Sequence, residues 1–289
     1  MGVPSNKISK DELKPGDHIY SWRHAYIYAH HGIYVGEGKV IHFTRGSGTQ
    51  GGGQEIGSGT FLDRAIFSSS PSHDSSNPCP QCGDQSRLDG VISSCIDCFL
   101  AGGDLDLFEY DVSPVFFLAK ARGGTCTLAS SDSRENVLHR AHYLLEKGFG
   151  VYHLFKNNCE DFALYCKTGR IVSTDIGGGR SGQAASFQAT SNAFISSLKY
   201  LAVGSSFLAA RFSGLTARFS GLAVVGSSGL AAVGGLVAVG CVGLAVNGGM
   251  KYYVSRLNSD IGVRSDAIIV PVEELCILFR HTGNMSKED

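Results

Sequence analysis

The sequence runs to 289 residues with a formal net charge of −1, 43% apolar content, 18% charged content and 38 glycines. That apolar content excludes a chain disordered throughout, and glycines without a period of three exclude collagen. Near-neutral charge gives no overall field for nucleic acid, so no nucleic-acid partner is expected. Nine cysteines are too few for a disulfide-dense secreted scaffold.

Met1 to Gly16 is polar, with Pro4 and Pro15, and lacks the apolar run of a signal peptide. Gly2 follows Met1, but Asn6 stands where a myristoylation pattern wants Ser or Thr. Strands are predicted over Asp17–Trp22, Tyr26–Val35 and Lys39–Thr44, all rich in Ile, Val, Tyr and Phe, with a hairpin turn at Gly36-Glu37-Gly38. Arg45–Thr60 is a glycine-rich loop and Ser68–Pro80 a Ser/Pro linker. Leu105–Val112 and Val115–Lys120 read as further strands. Asp132–Lys147 is predicted helical: Asp132 and Glu135 stand at its start, Val137, Leu138, Ala141, Leu144 and Leu145 form one stripe, and Gly148 stops it. A second helix is predicted over Cys159–Thr168, with Asn158 as N-cap and Gly169 as C-cap. Strands followed by helices indicate an α+β fold with an antiparallel sheet.

After Gly177 the composition changes. Phe219 to Met250 is uncharged over its whole length and contains nine glycines. Such a run exceeds the ~20 residues that span a bilayer as a helix, and membrane helices tolerate glycine where water-exposed ones do not. A Gly/Ala helix pair buried against the rest of the chain, or a flexible linker, is the competing reading.

Cys79-Pro-Gln-Cys82 and Cys95-Ile-Asp-Cys98 form a C-x2-C, x12, C-x2-C array. Two thiolate pairs on a short loop supply four tetrahedral sulfur ligands, so Cys79, Cys82, Cys95 and Cys98 are expected to hold a structural Zn ion. Four filled positions leave no opening for substrate, and none of the catalysis is assigned to the metal. His73 lies outside the array. Zinc thiolates also indicate a reducing compartment.

Asn157-Asn158-Cys159-Glu160-Asp161 places a cysteine on the first turn of a predicted helix, where free N–H groups and the helix dipole favour a thiolate. Glu160 and Asp161 oppose it, so a basic partner is required. Taken alone, such a cysteine is more often a small packed residue. Two histidine-bearing strands alter that balance: Tyr28-Ala-His30-His31-Gly32-Ile33-Tyr34-Val35-Gly36, then His42 twelve residues after His30.

With Cys159, these segments resemble the motifs of the lecithin:retinol acyltransferase family, which includes the small phospholipase/acyltransferases related to the HRAS-like suppressors. The His-x-(Ala/Gly)-Ile-Tyr strand, the second His and the Asn-Cys-Glu helix start occur in family order, and Pro15-Gly16-Asp17 resembles the family's strand entry. The resemblance covers roughly residues 10–60 and 105–170. It implies a rearranged papain-like core of the NlpC/P60 type, His30 as general base, His42 as the residue that orients it, Cys159 as nucleophile and Tyr28 as a possible second oxyanion donor beside the Cys159 N–H. His31 falls on a position that favours packing or surface exposure. Two departures stand out. Asp161 replaces the His frequent in animal members, and the cysteine array is absent from the small animal enzymes.

The simplest hairpin fits poorly with contact between the two histidines. A two-residue turn at Glu37-Gly38 pairs Ile33 with His42 and His30 with Arg45, leaving His30 and His42 ~10 Å apart on opposite faces. Contact needs a bulge, a longer turn or a curled strand end.

The expected organisation is a catalytic domain over 10–177 with a four-cysteine zinc-binding insertion at 71–104, a hydrophobic membrane-associating segment over 190–252, and a C-terminal tail over 253–289. The expected function is cysteine-dependent acyl transfer on phospholipid or another acyl lipid through a thioester on Cys159, with no catalytic cofactor, in a cytoplasmic protein held at a membrane by its C-terminal segment and not secreted. The alternatives are an NlpC/P60-like peptidase or amidase, and a non-catalytic membrane-associated zinc scaffold.

Overall fold

The computed structural model describes residues 6–23, 28–45, 78–85, 87–120, 123–152, 157–172, 182 and 250–285, with side chains through Phe279. Two compact units are present, Met1–Ser186 with Leu257–Asp289, and Phe187–Arg256. Of the second unit the described residues are 250–256, which are helical.

The first unit is built on a five-stranded antiparallel sheet. Its strands are β1 (His18–Arg23), β2 (Tyr28–Gly36), β3 (Lys39–Thr44), β4 (Gly90–Cys95) and β5 (Asp106–Leu107), in the order β4-β3-β2-β1-β5. Ile19, Ile33, Val40, Ile41 and Phe43 are fully or almost fully buried on its two faces. One face packs on the long helices α3 (Arg134–Lys147) and α4 (Cys159–Thr168). There Ile33, Ile41 and Phe43 meet Val137, Ala141, Leu144, Phe162, Ala163 and Tyr165. The other face is covered by the short α1 (Ile96–Leu100), where Ile19 and Val40 meet Phe99 and Leu100.

The hairpin decides the position of the site. Its turn is the expected Glu37-Gly38 pair, and both residues have positive φ, 50° and 67°, matching the twist of the flanking strands. The ladder then slips by one residue, pairing Gly36 with Lys39 but Tyr34 with Val40, so Gly32 rather than Ile33 lies opposite His42. This is a β-bulge at Val35. Because side chains alternate faces, one extra residue moves His30 onto the face of His42.

Several sequence expectations need correction. Val115–Lys120 is not a strand: Pro114–Ala119 is a helix, α2, with Pro114 in its first turn and the Ser113 side chain accepting from Phe116 N–H. Pro preset in a first turn after a Ser cap outweighs the β-branched and aromatic content. The strand expected over Leu105–Val112 shrinks to Asp106–Leu107. Helix α3 starts later than Asp132, because Ser133 caps it, accepting from Asn136 N–H. Asp132 instead pairs with Arg140 at 2.6 Å. Helix α4 and both of its caps are where the sequence places them.

From Leu257 onward the chain belongs to the first unit. Strand β7 (Ala267–Ile269) pairs antiparallel with β6 (Arg170–Val172), and α5 (Val272–Met285) buries Val272, Leu275 and Cys276 against the α3–α4 core. The hydrophobic stretch of 190–252 lies outside the described residues except for 250–252. Among the described residues no helix is long and apolar enough to cross a membrane.

Candidate active site

Cys159 opens α4, and its setting begins with the two asparagines before it. Asn157 donates its side-chain amide to the carbonyls of Phe149 (2.7 Å) and Val151 (3.1 Å), fixing the incoming loop. Asn158 caps the helix, its Oδ1 accepting from Glu160 N–H (2.9 Å) and Asp161 N–H (3.2 Å). Asp161 returns the contact, its carboxylate accepting from Asn158 N–H at 3.0 Å. The residue that departs from the animal pattern is therefore a capping-box partner. The cap takes the N–H groups of Glu160 and Asp161 and does not take that of Cys159.

The Cys159 thiol is buried and donates to the Ala29 carbonyl, with an Sγ···O distance of 3.8 Å. It accepts from the backbone N–H of His31 and from the Tyr152 hydroxyl. Burial pushes its pKa up to about 12, and Glu160 and Asp161 push the same way. The helix start, which by itself favours a thiolate, does not produce a resting one, because desolvation outweighs the two hydrogen bonds.

The contacts to Cys159 come from the residues immediately before and after His30. His30 is itself buried, and its Nε2 lies 2.9 Å from Nδ1 of His42. His42 Nε2 lies 2.6 Å from the Ser94 hydroxyl. His30 Nδ1 is the one buried side-chain nitrogen or oxygen without a hydrogen-bond partner among the described residues. Burial holds both imidazoles neutral, His42 at about 3 and His30 well below the ordinary value, with His42 and Arg23 acting in the same direction on His30. Phe99 packs against both rings, with centroids 5.2 Å from His30 and 5.5 Å from His42. Gly32 makes room for it: a Cβ there would lie 2.9 Å from Phe99 Cε2 and 2.7 Å from Val40 Cγ1.

Tyr28 is buried opposite Arg23, and both lie within electrostatic reach of Cys159. Burial and the neighbouring thiol hold the Tyr28 hydroxyl protonated, the form that can donate. Arg23 donates to the Phe99 and Leu100 carbonyls, tying the end of α1 to this corner.

His31 is fully buried rather than exposed. It points to the helix-side face, where its Nδ1 lies 2.9 Å from His18 Nε2, and His18 Nδ1 lies 2.7 Å from the Tyr110 hydroxyl. Nothing in the spacing along the chain pairs His18 with anything. The pairing is diagonal across β1 and β2, and only the ladder register reveals it. Tyr152, Ser94, Gln85 and Phe99 are further site residues that the sequence does not mark. None stands at a telling spacing: Tyr152 and Gln85 reach the site from loops, Ser94 from the edge strand β4, and Phe99 from the short helix α1. His24, His73 and His153 lie outside the described residues.

The four cysteines of the array converge. Their sulfurs all lie within 4.8 Å of one another, a group able to hold a metal ion, and all four are free thiols. Cys82 Sγ accepts from Cys95 N–H (2.9 Å) and Cys95 Sγ from Cys98 N–H (3.5 Å). The second pair straddles the junction of β4 and α1, with Cys95 as the last strand residue and helix N-cap and Cys98 on the first turn.

An antiparallel sheet with a buried histidine pair, whose histidine-bearing strand holds a helix-start cysteine through its backbone, defines a class, the α+β proteins with a cysteine and histidines on adjoining elements. Within that class the chain belongs to the lecithin retinol acyltransferase family, whose model matches residues 11–172. It is 59% identical over 186 residues to Protein LEAD-SENSITIVE 1 of Arabidopsis thaliana, an alignment covering 64% of this chain and 69% of that protein. Family membership supports an activity of the acyltransferase or phospholipase type.

Proposed function

We propose that the protein is a thiol acyltransferase that takes an acyl group from a phospholipid or similar acyl lipid through a thioester on Cys159. One observation carries this reading. The unpartnered buried Nδ1 belongs to His30, the residue whose two chain neighbours hold the Cys159 sulfur.

The resting pair is a neutral thiol and a neutral imidazole. His30 Nδ1 takes the Cys159 proton as sulfur attacks the ester carbonyl. The tetrahedral oxyanion is received by the Cys159 N–H, which the helix cap leaves unused, with the Tyr28 hydroxyl as second donor. His30 then delivers the proton to the departing lysolipid alkoxide as the C–O bond breaks. In the second half, water, an amine or an alcohol gives its proton to His30 and attacks the thioester, and the proton returns to the leaving Cys159 sulfur. Tyr152 donates to the sulfur throughout, opposing part of the desolvation that disfavours the thiolate.

Cys79, Cys82, Cys95 and Cys98 would hold a structural zinc ion. Zn–S bonds of about 2.3 Å in a tetrahedron place sulfurs about 3.8 Å apart, and Cys79 and Cys95 are 3.8 Å apart. The ion would offset half the charge of four crowded thiolates and tie β4 to the loop before it. We further propose that Phe219–Met250 holds the protein at a cytoplasmic membrane face, consistent with a lipid substrate.

The test is mass spectrometry of the full chain incubated with a short-chain phosphatidylcholine. An acyl adduct on wild type and none on Cys159→Ala is expected. An adduct that persists in Cys159→Ala removes the nucleophile, and peptide cleavage without any acyl-Cys159 transfers the site to the peptidase reading.

A further inference from the structure

We infer that the cysteine insertion contributes to catalysis through two positioning residues, Gln85 and Ser94, which set the tautomer of His30. The inference deepens the acyltransferase reading and rests on it for the role of His30.

The hydrogen bonds form one directed chain. Gln85 Nε2 donates to the Ser93 carbonyl at 2.8 Å. A carbonyl only accepts, so this contact fixes which end of the Gln85 amide faces which way. Gln85 Oε1 is thereby turned to Ser94, whose hydroxyl donates to it at 2.7 Å. The Ser94 hydroxyl has one proton. Having given it to Gln85, it can only accept from His42, across 2.6 Å. His42 therefore carries its proton on Nε2, and its Nδ1 presents a lone pair. Facing that lone pair at 2.9 Å, His30 carries its proton on Nε2. The remaining nitrogen, His30 Nδ1, is then an unprotonated acceptor, and it is the atom that has no partner. All three polar side chains behind it are buried.

The reverse polarity is excluded by Gln85. If Ser94 donated to His42, two acceptor oxygens would face each other across 2.7 Å in a buried site, leaving the Gln85 oxygen unsatisfied. His42 would then donate from Nδ1 to His30 Nε2, and His30 would carry its proton on Nδ1. His30 Nδ1 would then be a donor and could accept no proton from the Cys159 thiol. A lone pair at the head of the relay thus depends on the amide at its far end.

The origin of those links gives the insertion a role beyond stapling. Gln85 lies three residues after Cys82, and Ser94 immediately precedes Cys95. Cys79 and Cys82 hold one, Cys95 and Cys98 the other, and Phe99, next to Cys98 on α1, packs on both imidazoles.

The test uses full-length protein labelled with 15N-histidine, in which two-bond nitrogen–proton correlations distinguish protonated from bare imidazole nitrogens. In wild type, His30 Nδ1 and His42 Nδ1 are expected bare. Gln85→Leu frees the Ser94 proton for His42, and a protonated His30 Nδ1 is expected in a substantial fraction of molecules. The rate of Cys159 acylation by short-chain phosphatidylcholine should fall about tenfold or more, with KM little changed. Ser94→Ala should lower it similarly, and Ser94→Thr, which keeps the hydroxyl, should restore both tautomer and rate. Amide spectra matching wild type establish that the variants fold. A protonated Nδ1 in wild type, or Gln85→Leu leaving the tautomers unchanged, overturns the relay whether or not acylation occurs. The wild-type tautomers as expected, without any acyl-Cys159, would sustain the relay and sink the acyltransferase reading.

Discussion

Strand β2 carries two adjacent histidines, and its two faces use them differently. On the helix side, His31 contacts His18 at 2.9 Å, and His18 ends on the Tyr110 hydroxyl. On the cysteine-insertion side, His30 contacts His42 at the same distance, and His42 ends on Ser94. Both pairs are buried, and burial keeps all four rings neutral. The difference lies at the free end of each chain. The middle rings, His18 and His42, have both nitrogens taken; of the end rings, His30 retains a buried Nδ1 without a partner, whereas no such atom is left on His31. Whether a buried histidine pair keeps a position free to take a proton is therefore set by the partners of its end ring, not by burial.

The largest test of that contrast is a pair of substitutions. His30→Asn should lower Cys159 acylation by about 10²–10⁴-fold, and should also destabilise the fold by about 1–3 kcal/mol, since His42 Nδ1 loses its donor. His18→Phe should instead leave the rate of the folded protein intact and destabilise it by about 1–3 kcal/mol, since Tyr110 and His31 lose their partner. Equal rate losses in the two variants would dissolve the distinction.

Next comes pH. A base whose folded pKa is lowered stabilises the fold above its unfolded value near 6.5, and that contribution is lost as pH falls toward the folded value, about 3 for His31 and His42. His31 and His42 should each contribute about 1.4 kcal/mol per pH unit in that window, and His18 and His30, lowered by the same burial, act in the same direction. Urea unfolding at pH 7 and pH 5 should thus differ by several kcal/mol, and His18→Phe should reduce the slope by about one proton. For the same reason, the acid limb of the acylation rate should lie below the ordinary imidazole range. A limb centred near 6.5 would mean that His30 is not the base.

Gly32→Ala targets the insertion face alone. The added methyl would meet Val40 and Phe99 below 3.0 Å, and a loss of about 1–3 kcal/mol by thermal melting is expected, with slower acylation as Phe99 shifts off the histidines. The smallest effect is expected for Asn158→Ala, about 1 kcal/mol, from the lost cap beneath Cys159. An unchanged melting temperature would show that water replaces the cap at no loss.

Much of this was legible in the chain. The bounds of β3 and α4, the Asn158 and Gly169 caps, the turn at Glu37-Gly38 and the convergence of four cysteines follow from local rules, because caps, turns and metal-ligand spacing act within a few residues. Family order of His30, His42 and Cys159 was legible as resemblance. Local rules failed where two signals competed over six residues: Pro114 behind Ser113 made a helix of an apparent strand.

What the sequence by itself determined, then, is the inventory: a strand-rich first half, two capped helices, a cysteine knuckle and the candidate chemistry of one thiol and two imidazoles. Tertiary structure alone decided which of these act together. A single bulged residue at Val35 moved His30 to the face of His42, and side-chain alternation makes any one-residue slip a change of face. Burial, which depends on every neighbour packed around a group, overrode the helix start, pushing the Cys159 thiol up to about 12, and keeps His30 neutral. The hydrogen-bond polarity that leaves His30 Nδ1 bare is set by Gln85, fifty-five positions further along the chain. No local pattern encodes a contact at that separation.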